Sequence, residues 1–425
     1  MSDLYYSDVY NASGGFSSWD ANGNGKFGEF MVDDVDVYPD VHLGRLPCVD
    51  GSQVEICVAK IINYEVEGSY KKDWFRRLIV CGGDTLAPPL YPDHDMAEGE
   101  VVNQAVIDVM DGFIPEKIWA SNGRLSGKDP SGVDVINQAL NAGCGFVDMA
   151  GEGNTFGWAT HPLKDSNTWL PTPAPGGYYK SNVPNLTNAE KLPIVVIGAC
   201  KTHKFEEDPD CFGWTFLTNP DGGGIATFGT TTYAVDIYGQ APNNYTSKFE
   251  VNLFKAYKPG GAKTVGEMWS KAVNGYMFPD MDEYDYLTLE EWVLFGDPSL
   301  AIEDMSQKPS KPPIPSGPTS GVVGTKYTYV ASTSDPENDQ VYYLFDWGDS
   351  TFSGWQGPYT SGKNVSVEHM WASKGSYEVR VRAKDEHGMV SEWSDPIAVS
   401  MPYRHQTLLE RIILWLLQIF GITIP

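Results

Sequence analysis

The chain has 425 residues, 41% hydrophobic and 20% charged, with a formal net charge of -26. That length exceeds one ordinary core and calls for two or three folded units, while the composition excludes a disordered chain. So acidic a surface repels phosphate backbones and attracts cations, which excludes nucleic acid as a partner. The six cysteines, Cys48, Cys57, Cys81, Cys144, Cys200 and Cys211, show no paired CxxC spacing, so neither a zinc ribbon nor a disulfide scaffold is indicated.

The first residues lack a basic segment followed by an apolar core, so no signal peptide is read in this chain. At Asp20 to Glu29 (DANGNGKFGE), Asp20, Asn22 and Asn24 followed by Gly25 match the start of an oxygen-ligand calcium loop. Its twelfth position is Met31, so Glu29, Asp33 or Asp34 would complete the shell, and an Asn/Gly turn without metal accounts for the same residues. From there to about residue 305, short apolar runs alternate with helix-like stretches: Arg77 to Cys81 (RLIVC), Met96 to Met110, Gly145 to Met149 (GFVDM) and Ile194 to Gly198 (IVVIG). Brief β-branched runs bounded by glycine suit buried parallel strands, and the expected fold class is α/β with a mostly parallel sheet flanked by helices. Sites in such sheets lie at the carboxyl ends of the strands.

Residues 306–318 contain five prolines between Lys308 and Pro318 and read as an extended linker. Residues 319–402 alternate in short segments, Lys326 to Val330, Val341 to Trp347 and Tyr377 to Ala383, which predicts a small all-β, immunoglobulin-like sandwich. Its Asp335, Asp339 and Asp385 are further candidates for calcium. The segment Val341 to Thr351, with Phe345-Asp346-Trp347-Gly348-Asp349, and Tyr377 to Asp385 resemble a polycystic-kidney-disease-type (PKD) domain. In the tail, 403–425, the run Leu408 to Ile424 is apolar but interrupted by Glu410, Arg411 and Gln418. It falls short of a spanning helix and reads equally as an interfacial contact or as a helix packed on the protein.

The run Leu192 to Cys200 (LPIVVIGAC) delivers a thiol to the rim of the sheet. An earlier strand, Gly145 to Met149, ends in Ala150-Gly151-Glu152-Gly153-Asn154, with Trp158-Ala159-Thr160-His161-Pro162 beyond it. This pairing resembles the gingipains and their caspase and legumain relatives, in which one strand ends in a His-Gly pair and a later one in the catalytic cysteine. Asp40 to Pro47, Lys60 to Glu65, Cys211 to Leu217 and Leu294 to Leu300 (LFGDPSL) support it, so the resemblance spans nearly all of residues 1–305. It implies a secreted or cell-surface cysteine endopeptidase acting on protein or peptide substrates with Cys200 as nucleophile and no catalytic cofactor. The PKD-type module would serve adhesion, spacing or surface attachment.

Gly-Glu-Gly stands where that family has Gly-His-Gly. A glutamate neither lowers a thiol pKa nor readily protonates a leaving amine, whereas an imidazolium does both. His161 and His203 are the candidate substitutes, and Glu152 itself could act as base or orienter. The amides of Cys200 and of Gly151 or Gly153 would hold an oxyanion. Trp158, Phe205 and Trp214 are groove candidates, each equally readable as an ordinary core aromatic. The alternative from another functional class is an inactive pseudopeptidase that binds peptide or a cell surface without cutting.

Overall fold

The structure, a computed structural model, describes residues 2–33, 35–85, 95–303 and 307–402 together with Ile412, Trp415, Leu416 and Ile419. The chain divides between Asp304 and Met305 into two units.

In the first unit the described residues form nine strands, in chain order: β1 (Arg77–Gly82), β2 (Ile114–Trp119), β3 (Phe146–Ala150), β4 (Glu152–Asn154), β5 (Gly157–Ala159), β6 (Tyr178–Tyr179), β7 (Ile194–Gly198), β8 (Ala226–Thr230) and β9 (Trp292–Phe295). Six of them make one sheet in the order β2-β1-β3-β7-β8-β9. Its first five strands run parallel and β9 closes the edge antiparallel to β8. Every residue of β3, β7 and β8 is buried, which explains their uninterrupted apolar spelling: a strand covered on both faces has no solvent side to mark.

Successive side chains still part to opposite faces. Leu78, Val80, Ile194 and Val196 enter one core with helices Glu98–Val109, Tyr245–Tyr257 and Val265–Tyr276, whereas Ile79, Cys81, Val195 and Ile197 enter the other with Gly51–Glu67, Gly132–Asn141 and Phe212–Thr218. Lys60, on the helix Gly51–Glu67, donates through Nζ to the carbonyls of Phe216, Leu217 and Gly222 at 2.9, 3.0 and 2.8 Å. It thereby satisfies the carbonyls left open where the helix Phe212–Thr218 ends.

Carboxyl groups are packed into this unit as well. Asp148 of β3 accepts from Asn103 Nδ2 at 2.8 Å, and the Glu250 carboxyl lies so close to Gly198 that an added Cβ would sit 1.8 Å from its Oε2. Glycine is required there by space. Burial pushes the Asp148 carboxyl up to about 6, and burial together with the Asp148 charge pushes Glu250 well above its usual range. The two therefore share a proton at neutral pH.

The second unit is a sandwich. Strands β10 (Tyr327–Ala331) and β13 (Val365–His369) pair antiparallel, facing a sheet of β12 (Gln356–Tyr359), β11 (Val341–Asp346), β14 (Gly375–Asp385) and β15 (Ile397–Met401). Trp347, Trp371, Tyr329, Phe345 and Val381 fill its core. The stretch expected as a linker is instead part of this unit from its middle onward. Ser316 exchanges two backbone hydrogen bonds with Val330 at 2.9 and 2.8 Å, and Ser310 N–H donates to Ser334 at 2.9 Å. Prolines lack donors, so the serines between them make the pairing. The membrane role considered for the tail falls almost wholly outside the described residues. Among the described residues no helix is long and apolar enough to cross a membrane.

The buried acids set a pH dependence. Burial raises Asp148 to about 6 and Asp236 and Glu290 to about 7. In the unfolded chain such groups titrate near 4, so the folded form holds the extra protons between about pH 4 and 7. Stability from these groups is full below that window and is lost as pH rises through it, at about 1.4 kcal/mol per unit of displacement. The urea midpoint of the parent chain is expected to be higher at pH 5.5 than at pH 7.5, and Asp236→Asn should flatten the difference.

Candidate active site

Three neighbouring strands end at one rim, and each carries a polar side chain two residues beyond its last residue: Asp84 after β1, Glu152 after β3 and Cys200 after β7. With strands about 4.8 Å apart, the sheet order places Glu152 between the other two.

The turn that presents Cys200 is strained at the next residue, since Lys201 has φ 54°, a left-handed conformation costly for a residue with a side chain. It is held by the Lys201 amide, which donates to the Thr232 carbonyl at 2.8 Å and to Thr230 Oγ1 at 3.1 Å. Gly153 permits the close approach of the β4 hairpin. A Cβ there would meet Ala199 Cβ and Thr202 Cγ2 at 2.8 Å and the Cys200 carbonyl oxygen at 2.9 Å, so any other residue would push Glu152 and Cys200 apart.

The surroundings of Cys200 hold it as a thiol. Burial raises its pKa and the Glu152 charge adds to it, while backbone hydrogen bonding at Ala234 opposes them without overcoming burial. Its Sγ lies 3.8 Å from the Ala234 carbonyl oxygen.

His161 reaches the rim by a route independent of β3. Its backbone pairs with Asp84 in both directions, N–H to O at 3.0 and 2.8 Å. Nδ1 is 2.9 Å from the Thr168 carbonyl oxygen, so it carries the hydrogen and Nε2 points to Glu152 Oε1 at 3.4 Å. The ring packs on Trp169 with centroids 4.0 Å apart. Burial opposes its charge, but Glu152, the Thr168 carbonyl and Asp84 outweigh burial and raise its pKa. The imidazole therefore meets the Glu152 carboxylate, whose strand lies between β1, beside which His161 pairs, and β7, which carries the thiol.

The remaining sequence-predicted residues divide. His203 is fully buried, its ring nitrogens 2.8 Å from Thr227 Oγ1 and 3.1 Å from Thr202 Oγ1 and its face on Phe295 at 4.5 Å. Burial lowers its pKa to about 3, so as a stand-in base it is corrected to a neutral core residue. Trp214 is likewise in the core, donating to Gln53 Oε1 at 3.2 Å, and Phe205 packs against Phe295 and under Arg45. Neither is among the residues lining the groove, whereas Trp158 is. A cavity of about 270 Å³ beside Glu152 is walled by Trp158, Trp169 and Tyr179 with Gly153 and Asn154.

Of the expected oxyanion donors, Gly151 is committed to the sheet, its N–H donating to the Gly198 carbonyl at 3.1 Å. Gly153 pairs with Trp158 across the hairpin. The Cys200 amide donates to no backbone acceptor among the described residues. In the Asp20 loop, Asp20 accepts from the Asn24 and Gly25 backbone amides at 2.9 and 3.1 Å, Asn22 accepts from Asn24 N–H at 2.9 Å, and the Asn24 side-chain Nδ2 donates to Glu29 Oε2 at 2.6 Å. The loop thus satisfies its own donors, and Asp34 lies outside the described residues.

Asp84, Thr168, Trp169 and Ala234 were not singled out by the sequence. Asp84 carried a usable signal, a carboxylate just past a buried strand. The others come from irregular segments and have no local pattern.

A parallel sheet covered on both faces thus ends one central strand in a thiol, and its neighbour in an acid that meets an imidazole. Residues 1–303 match the family described as Peptidase family C25, and the chain belongs to that family; residues 314–395 match the PKD domain. Gingipain R2 and gingipain R1 of Porphyromonas gingivalis are each 22% identical over 277 residues, 64% of this chain, and cover 34% and 25% of those proteins. The chain thus spans about a third or less of the length of these curated relatives. Among solved structures, that of the Arg-specific cysteine proteinase gingipain R is 14% identical, covering 86% of this chain and 76% of its own, with a TM-score of 0.47. The PKD domain of an M14-like peptidase from a Thermoplasmatales archaeon is 41% identical over 23% of this chain and 98% of its own, with a TM-score of 0.22.

Removing the neighbouring negative charge should release the thiol. Glu152→Gln is expected to raise the rate of Cys200 alkylation by iodoacetamide at pH 7 by about 2- to 5-fold, read by mass spectrometry of the Cys200 peptide. An unchanged rate would mean that Glu152 does not act on the thiol.

Proposed function

We propose that this chain is a cysteine endopeptidase by ancestry that still binds peptide at the rim of its sheet but hydrolyses it only slowly at neutral pH. The observation that carries this reading is the order of groups along the rim. Burial, with the neighbouring Glu152 charge, raises the Cys200 thiol, and the imidazole of His161 is engaged by Glu152. Peptide cleavage needs a thiolate to attack the carbonyl and an acid to protonate the departing amine. Neither is readily supplied to Cys200 by a glutamate at position 152. The Cys200 amide and the aromatic-walled cavity beside Glu152 do not depend on the missing histidine, so peptide capture outlasts the loss of rate.

A second reading is favoured by the 3.4 Å contact between Glu152 and His161. Here Glu152, oriented by His161, takes the proton from the Cys200 thiol and returns it to the leaving amine, with charge balanced by the imidazolium. In either case the substrate is protein or peptide, catalysis uses no cofactor, and calcium has a structural role at most. Cell-exterior location is supported by family membership, the PKD domain and the acidic composition. The PKD domain would hold the peptidase unit near its target, and contact of the apolar tail with a membrane surface belongs to the same proposal.

The test is hydrolysis of a diverse fluorogenic peptide library, with calcium present, by the parent chain, Cys200→Ala, Glu152→His and His161→Ala. The expected result is near-background turnover by the parent and a gain of at least about 100-fold in Glu152→His, abolished when Cys200→Ala is added. Substantial parent activity that is lost in His161→Ala would replace the first reading with the relay. No gain in Glu152→His together with no saturable binding of peptides to the parent would defeat both.

A further inference from the structure

The second unit gathers carboxylates where its fold does not need them. The loop after β10 carries Asp335, Glu337 and Asp339, one oxygen from each lying within 4.8 Å of the others. Asp339 also belongs to a second group with Glu386 and His387, from the turn that follows β14, within the same limit. Two loops distant in sequence therefore converge on Asp339. The nearby charges of Asp335, Glu386 and Asp385 raise the Asp339 carboxyl, after burial, while His387 opposes them.

Asp335 gives the independent sign that something is meant to lie between these groups. Its residue is 95% buried, by a relative exposure of 5%. Its Oδ1 accepts from the Glu337 and Asp339 amides at 3.0 and 3.1 Å. Its Oδ2 is buried with no hydrogen-bond partner among the described residues. A buried carboxylate oxygen left without a donor is costly, and several carboxylates crowded together repel one another. The one basic side chain in the two groups is His387, whose Nε2 is 3.3 Å from Asp339 Oδ2. A single exposed imidazole does not neutralise four acids.

We propose that the second unit binds a calcium ion between these two loops, with Asp335, Glu337, Asp339 and Glu386 as oxygen ligands. The donor set selects the metal. Calcium takes six to eight oxygens in flexible geometry and tolerates water in the remaining positions, whereas zinc or copper would call for more nitrogen or sulfur than one exposed histidine supplies. Glu337 is steadied for the role, since its Oε2 accepts from the Gln307 amide at 3.0 Å. Because the ligands come from two turns at the same end of the sandwich, the ion ties the β10–β11 connection to the turn after β14. It would raise the resistance of this end to unfolding and proteolysis.

The experiment uses the full chain, freed of metal with EDTA and titrated with calcium chloride by isothermal calorimetry, beside Glu337→Gln, Glu386→Gln, Asp335→Asn and Asp20→Asn. The two glutamates are exposed, so those variants keep the fold even where Asp335→Asn does not. Expected is a calcium site in the parent that each of the two glutamate variants weakens at least 10-fold and that Asp20→Asn leaves in place. The proposal is overturned if the parent takes up no calcium. It is also overturned if both glutamate variants bind it as the parent does, if Asp20→Asn alone removes it, or if zinc binds here more tightly than calcium and is lost in His387→Ala. Peptidase activity plays no part in the readout, so the outcome is independent of the state of Cys200.

Discussion

Burial of β3 and β7 on both faces is the constraint from which the rest of the first unit follows. Their side chains can point only into two apolar cores, and their backbone groups are consumed by neighbouring strands. Polar chemistry can therefore appear only where these strands stop. The chain uses that rim three times, for Asp84, Glu152 and Cys200, and then folds the hairpin of β4 and β5 back over it. Gly153 and Gly198 are the points at which this closeness would fail with any larger residue.

Electrostatics at the rim run against the chemistry that its geometry suggests. A thiol set at a strand end beside a backbone donor is arranged for attack, yet burial and the Glu152 charge favour its protonated state. The same acidity reaches down into the core through Asp148 and Glu250. One side chain, Glu152, therefore acts on two neighbours: its charge disfavours the Cys200 thiolate, and its carboxylate engages the His161 imidazole.

Much of this was legible in the sequence because it rests on local patterns. Apolar runs ending in glycine marked β1, β3 and β7, the strand-end rule marked Cys200 and Glu152, and period-two alternation marked the sandwich. What was not legible depends on how the chain returns. His203 is close to Cys200 along the sequence, but the left-handed turn at Lys201 precedes its entry into the core. The Gly151 amide looked available until the register of β3 on β7 assigned it to Gly198. Trp169 and Thr168, which orient His161, sit in an irregular segment, and the proline-rich stretch hid two serines that pair with the sandwich. Each of these is a long-range contact for which spacing carries no signal.

The six thiols are all free, and their environments divide their redox chemistry. Burial raises Cys57 and Cys211 to about 12 and Cys81 and Cys144 higher still, which protects them from oxidants that act on thiolates. Two sulfurs remain partly open. Cys48 contacts Cys57, whose raised pKa leaves little thiolate to resolve a sulfenic acid formed there. Burial raises Cys200 as well, so the same shelter from thiolate-directed oxidants extends to it. The burial that slows attack by this sulfur is thus also what spares it from oxidation.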